Sequence, residues 1–225
     1  MLGIFSRLFG SLQSILIGIP VTLIALTVHE FAHGFVSDKL GDPTPRQQGR
    51  LTFNPIAHLD PLGTLLMILT GFGWAKPVMV NPRNYKNQKV GMAVTAAAGP
   101  LSNLIMAFLA MFLYAILLVV NVKCNLGWND AVSTTGSILT FFAYRNLCFM
   151  VFNFIPIPPL DGAKVLGIIV PSRIYFKIMQ YEWYAMILIM VLSVSGAFGG
   201  IIGTGVNYIM TGITNLLNSM IRIMV

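Results

Sequence analysis

Residues 15–36 read Ile-Leu-Ile-Gly-Ile-Pro-Val-Thr-Leu-Ile-Ala-Leu-Thr-Val-His-Glu-Phe-Ala-His-Gly-Phe-Val, a long apolar run that closes on His29-Glu30-Phe31-Ala32-His33. On a helix, residues four apart share a face. His29 and His33 can therefore offer two imidazoles to one metal ion, while Glu30 beside them reaches a water on that ion. The flanks are unusual for such a motif, because no charge occurs between Arg7 and Glu30. An ionisable group at the centre of a bilayer helix costs roughly 2.5–3.5 kcal/mol, so three titratable groups within one turn imply a compensating structure. A buried zinc ion with its water would supply it.

The rest of the chain matches this setting. Of its 225 residues, 56% are hydrophobic and 9% charged, which places it among integral membrane proteins. Lys and Arg total 14 against 7 Asp and Glu, a formal net charge of +7. In a membrane protein such an excess marks cytoplasmic loops and carries no implication of nucleic acid. Cys124 and Cys148 form no Cys-x-x-Cys pair and read as free thiols. The segment around Arg7 loosely resembles a signal peptide. No small-x-small cleavage site precedes the histidines, so it reads as part of an uncleaved helix.

Downstream, Ser37 to Pro45 is a polar turn with two prolines that should stop the first helix. Arg50 to Phe53 and Pro77 to Val80 are compatible with short strands. Between them Asp60-Pro61 reads as an N-cap and first helical residue, opening an apolar helix from Leu62 to about Phe72. At about 1.5 Å per residue that helix covers only half of a hydrocarbon core near 30 Å, which predicts a re-entrant or interfacial hairpin. Long helices are predicted over about 90–121 and 132–154, and packing helices over about 182–195 and 201–221. The expected fold is an all-α polytopic membrane protein forming one domain over residues 1–225. It has about five transmembrane helices plus the hairpin with its short β-strands.

A catalytic zinc typically has three protein ligands and one open position. Asp161, His58, Asp60 and Glu182 are the candidates for the third. Asp161 stands out because it follows the proline-rich break Pro156-Ile157-Pro158-Pro159-Leu160 and precedes Gly162. Irregular backbone of that kind is tolerated at membrane depth where it lines a cavity. The competing reading makes Asp161 a helix N-cap.

Three ordered motifs now stand together: His29-Glu30-Phe31-Ala32-His33, Gly99-Pro100-Leu101-Ser102-Asn103, and Asn153-Phe154-Ile155-Pro156-Ile157-Pro158-Pro159-Leu160-Asp161-Gly162. With them the chain resembles the site-2 protease family of intramembrane zinc metalloproteases. Gly49 to Pro55 and Gly73 to Val78 look like its compact branch without a PDZ domain. The resemblance implies one zinc held by His29, His33 and Asp161, with Glu30 and Asn103 as catalytic residues, Asn103 lining the active site and bonding the oxyanion or orienting the substrate. It also implies transmembrane protein substrates within the lipid bilayer, and a multi-pass location in a bacterial or archaeal cell membrane. Arg145 departs from the pattern, standing where an apolar residue is expected, and reads as paired within the bundle or reaching water. A metal transporter or sensor without proteolytic activity is the competing class. It would call for paired broken helices in two repeated halves, and no repeat is present.

Sidedness follows from charge and parity. From residue 37 to 89, Lys39, Arg46, Arg50, Lys76, Arg83, Lys86 and Lys89 outnumber Asp38, Asp42 and Asp60. This predicts an active site near the cytoplasmic face. His33 and Asp161 can share a metal only if the first span and the span ending near Phe154 run in the same direction.

Overall fold

A computed structural model describes residues 12–70 and 73–224. Nine α-helices are described: α1 Leu12–Lys39, α2 Thr44–Gln47, α3 Pro61–Thr70, α4 Gln88–Lys123, α5 Asn129–Asn153, α6 Asp161–Leu166, α7 Ser172–Met179, α8 Glu182–Val194 and α9 Gly199–Met224. Two short 3₁₀ turns, Pro55–His58 and Pro82–Asn84, lie between α2 and α4. The stretch around Arg7, and Gly71 and Phe72 at the end of the expected hairpin helix, lie outside the described residues.

Three helices among the described residues are long and apolar enough to cross a membrane: Ile17–Lys39, Gln88–Lys123 and Asn129–Asn153. The expectation is about five spans; three are found among the described residues. Helix α8 is apolar but has 13 residues, about 20 Å at the helical rise. Helix α9 has 26 residues, but Thr204, Asn207, Thr211, Thr214, Asn215 and Asn218 interrupt its apolar character. Helix α1 also runs past His29-Glu30-Phe31-Ala32-His33 to Lys39 rather than ending on it.

The three spans alternate in direction. Ala25 and His33 of α1 contact Asn103 and Thr95 of α4 in reverse order. Asn103 of α4 meets Asn146 of α5, and Tyr114 packs on Gly136. Helices α1 and α5 thus run the same way, which brings the end of α1, the start of α4 and the chain leaving α5 to one end of the bundle. Small side chains permit this closeness. The buried core is Ala107, Ala110, Met111 and Ala115 of α4, Ala143 and Leu147 of α5, and Val206, Ile213 and Leu217 of α9.

The expected strands are absent among the described residues, where only one isolated antiparallel bridge, Leu59 to Ala75, occurs. Proline explains this. Pro55 and Pro82 each open a 3₁₀ turn, and the preceding Asn54 and Asn81 side chains accept from the backbone N–H of Ile56 and Arg83. These turns end both stretches, and within the stretches the Arg50 N–H goes to the Pro45 carbonyl, the Thr52 carbonyl to His58 and the Val78 N–H to Glu30, which takes up groups a ladder would need. A short helix forms where one was expected: α3 has 10 residues, about 15 Å, and Asp60 caps it by accepting from the Gly63 N–H at 2.8 Å.

Asp42 ties these turns to the bundle. Its buried carboxylate accepts from Ser37 Oγ (2.9 Å), Thr44 Oγ1 (2.6 Å), the Thr44 N–H (3.1 Å), the Asn81 N–H (2.7 Å) and Asn84 Nδ2 (2.7 Å). Ser37 also bonds the Tyr85 hydroxyl, which reaches Thr95 Oγ1 on α4. Burial alone would raise the Asp42 carboxyl; the hydrogen bonds from Thr44, Asn81 and Asn84 outweigh it and hold the group at about 2. Because folding favours the carboxylate, its stabilisation is complete above the ordinary value of 3.8 and is lost as pH falls toward 2. The contribution at pH 7 is on the order of 2 kcal/mol. In detergent, the thermal midpoint should fall between pH 4 and 2. Asp42→Asn should lower the midpoint at pH 7 and weaken that acid dependence; an unchanged midpoint at pH 7 would show that the Asp42 bonds do not stabilise the fold.

Candidate metal centre

His29 and His33 lie one turn apart on α1, both buried. Asp161 opens α6 after the chain turns through Pro156 to Leu160, and its side chain points back at them. His29 Nε2 and His33 Nε2 are 3.0 Å apart, and each is 3.1 Å from Asp161 Oδ2. Donors on a tetrahedron with metal–ligand distances near 2.0–2.1 Å stand about 3.3 Å apart, so this triangle fits a zinc ion with one position left open. Among the described residues, these three form the one cluster of potential metal ligands.

Glycine makes the cluster possible. A Cβ at Gly99 of α4 would fall within 2.6 Å of His29 Nε2 and nearer still to His33 Nε2. At Gly162 a Cβ would run into the Phe154 and Ile155 carbonyls, so glycine lets α6 start directly against the chain leaving α5.

Both imidazoles are oriented from behind. His29 Nδ1–H donates to Asn103 Oδ1 at 2.7 Å, and His33 Nδ1–H donates to the Thr95 carbonyl at 2.7 Å. With the proton on Nδ1, each ring presents its Nε2 lone pair to the metal position. Asn103 is fully buried, and its Nδ2 donates to the Ala25 carbonyl (3.1 Å) and to Asn146 Oδ1 (2.9 Å). Both amide hydrogens are committed, so in this geometry Asn103 stands behind His29 with no N–H for a substrate oxyanion.

Glu30 lines the same cavity as His29, His33 and Asp161, a space of about 370 Å³. Its Oε2 accepts from the Val78 N–H at 3.0 Å. The cavity wall includes Trp74, Pro77, Val78 and Val80 of the loop before α4, Phe149, Phe152 and Asn153 of α5, and Glu182, Met186 and Ile189 of α8.

Relatives share this chemistry by name. "Putative zinc metalloprotease YwhC" of Bacillus subtilis (strain 168) is 39% identical over 173 residues, which take in 77% of this chain and 78% of that protein. The chain belongs to the site-2 protease family. "Putative zinc metalloprotease Rip2" of Mycolicibacterium smegmatis is 28% identical over 149 residues, and that of Mycobacterium tuberculosis H37Rv 24% over 182. The matches cover 64% and 79% of this chain and 53% and 66% of those relatives. No family model and no solved structure matches. These relatives and the three apolar helices make the chain a membrane protein of a zinc metalloprotease family.

In this site-2 protease family member the other sequence candidates lie apart from the ligand triangle or serve elsewhere. His58 is fully buried and donates from Nε2 to the Thr52 carbonyl at 2.9 Å within its own turn. Asp60 caps α3, and Glu182 lies on the cavity wall. Arg145 stands over the Phe141 ring, 5.4 Å from its centroid, and close to Gly18 of α1. Sequence reasoning missed four contributors: the Thr95 carbonyl, the Val78 N–H, Asn146, and Lys164, whose Nζ is 3.5 Å from Asp161 Oδ1. The first two are backbone groups, which composition cannot mark. Asn146 and Lys164 could have been found as polar side chains within or next to apolar helices.

The close approach at Gly99 yields a direct test. Gly99→Ala should cut zinc occupancy of the purified protein at least tenfold while preserving its helical circular dichroism. Full occupancy in that variant would mean that α4 does not press against the two imidazoles.

Proposed function

We propose that this protein is an intramembrane zinc metalloendopeptidase, cutting peptide bonds within or near the transmembrane segments of membrane-protein substrates in regulated intramembrane proteolysis. The observation that carries the reading is the triangle of His29, His33 and Asp161 at one end of three antiparallel helices of membrane-spanning length. One zinc per chain is held by these three residues. When bound, zinc polarises the scissile carbonyl and lowers the pKa of a water toward about 7.

The chain's own residues supply the remainder. The Val78 N–H fixes Glu30 Oε2, which leaves Oε1 to take the proton from the attacking water and return it to the leaving amide nitrogen. Asn103 and Thr95 keep the two imidazoles oriented throughout. Because a helical substrate hides its carbonyls in its own hydrogen bonds, it must unwind before Glu30 can act on it. Pro77, Val78 and Val80 line the cavity, where an unwound substrate strand would pass along them. The basic residues between 37 and 89 argue for a site near the cytoplasmic face.

Glu30→Gln removes the base without removing a ligand. In native membranes this variant should retain zinc and accumulate bound membrane proteins, which wild type then cuts in detergent at positions toward the cytoplasmic end of a transmembrane segment. Zinc-loaded wild type that cuts none of the captured proteins would overturn the proteolytic reading. Cuts clustered at the opposite end would overturn the sidedness.

A further inference from the structure

We infer that Asn146 of α5 is a positioning residue for the metal centre, setting through Asn103 which nitrogen of His29 carries the proton. The inference rests on the reading of His29 as a metal ligand. Asn146 is fully buried in α5 and touches neither the cavity nor the ligand triangle.

A chain of hydrogen bonds leads from α5 to His29, and its direction is fixed at two points by backbone carbonyls, which can only accept. Asn146 Nδ2 donates to the Phe142 carbonyl at 2.9 Å, one turn back on α5. That contact requires the amide nitrogen on the Phe142 side, so Oδ1 faces α4. There it accepts from Asn103 Nδ2 at 2.9 Å, and the Ala25 carbonyl accepts from the same nitrogen at 3.1 Å. With the Ala25 carbonyl and Asn146 Oδ1 both accepting, Asn103 must turn its nitrogen toward them and its Oδ1 toward His29. Asn103 Oδ1 lies 2.7 Å from His29 Nδ1 and can only accept, so the imidazole proton is on Nδ1 and the lone pair on Nε2, at the metal position.

If the Asn146 carbonyl is removed, Asn103 keeps only Ala25 to hold its orientation. Its amide can then flip, presenting Nδ2–H to His29. That contact favours a proton on Nε2, where it competes with the metal. In a buried site each link is costly to break, because no water is at hand to take over the lost bond.

The test uses full-length protein in detergent, labelled with ¹⁵N-histidine and stripped of zinc, the His29 signals being assigned by their loss in His29→Gln. Wild type should show His29 protonated at Nδ1. Asn146→Leu, which keeps the volume and removes both polar ends, should show a mixture of the two tautomers and bind zinc about tenfold more weakly in chelator competition. Asn146→Asp should behave like wild type: buried and neutral, its hydroxyl donates to Phe142 and its carbonyl accepts from Asn103.

A wild-type His29 protonated at Nε2 would overturn the inference without any variant. So would an Asn146→Leu protein that keeps both the wild-type tautomer and its zinc affinity. If wild type binds no zinc, the reading of the metal centre fails instead, and the tautomer signals still decide the part played by Asn146.

Discussion

Two imidazoles and two carboxylates packed among apolar helices persist only if nearly every polar atom around them is paired. Removing a polar group from water without a hydrogen bond costs several kcal/mol in hydrocarbon, and an unpaired charge costs more. The bundle meets this constraint from each helix in turn. Helix α1 brings His29, Glu30 and His33; α4 brings the Thr95 carbonyl and Asn103; α5 brings Asn146; and the chain beyond α5 returns with Asp161. Close approach between these helices is a condition for that pairing, which is why Gly99 and the alanines of α4 face where they do. A bulkier side chain at such a position would separate the partners and leave their polar groups unpaired.

The same logic extends outward from His33. Its Thr95 acceptor belongs to a residue whose hydroxyl meets Tyr85, which meets Ser37, which meets Asp42. The turns between α1 and α4 are therefore connected to the metal centre through buried side chains as well as through sequence. Segment 76–80 is anchored on both sides, by the Lys76 N–H on the His58 carbonyl and the Asn81 N–H on Asp42, and Val78 between them steadies Glu30. This explains why the loop region carries so many asparagines, prolines and one buried aspartate: they fix the irregular backbone that forms the cavity wall.

Much of this could be read from the sequence, and the rest was illegible for physical reasons. His29 and His33 were legible because helical spacing places them on one face. Asp161 was legible because proline and glycine flank it between apolar segments. The three spanning helices were legible from apolar runs too long for a soluble domain. The strands expected at 50–53 and 77–80 did not form: Asn54-Pro55 and Asn81-Pro82 turn the chain just beyond them, and Arg50, Thr52 and Val78 bond to Pro45, His58 and Glu30 instead of to each other. Asn103 was read as facing substrate, but which way an amide faces depends on partners in two other helices. The Thr95 carbonyl and the Val78 N–H exist in every residue and have no sequence signature. Asn146 was visible only as a polar side chain in an apolar helix, and its partners came from the fold.

The central claim is that His29, His33 and Asp161 together hold one zinc inside this bundle. Zinc K-edge X-ray absorption on the stoichiometrically loaded protein tests it most directly. The expected spectrum contains two imidazole rings and only nitrogen or oxygen in the coordination shell, and Asp161→Ala should weaken zinc binding while keeping both rings. A sulfur neighbour, fewer than two imidazoles, or an Asp161→Ala protein with unchanged spectrum and affinity would contradict it.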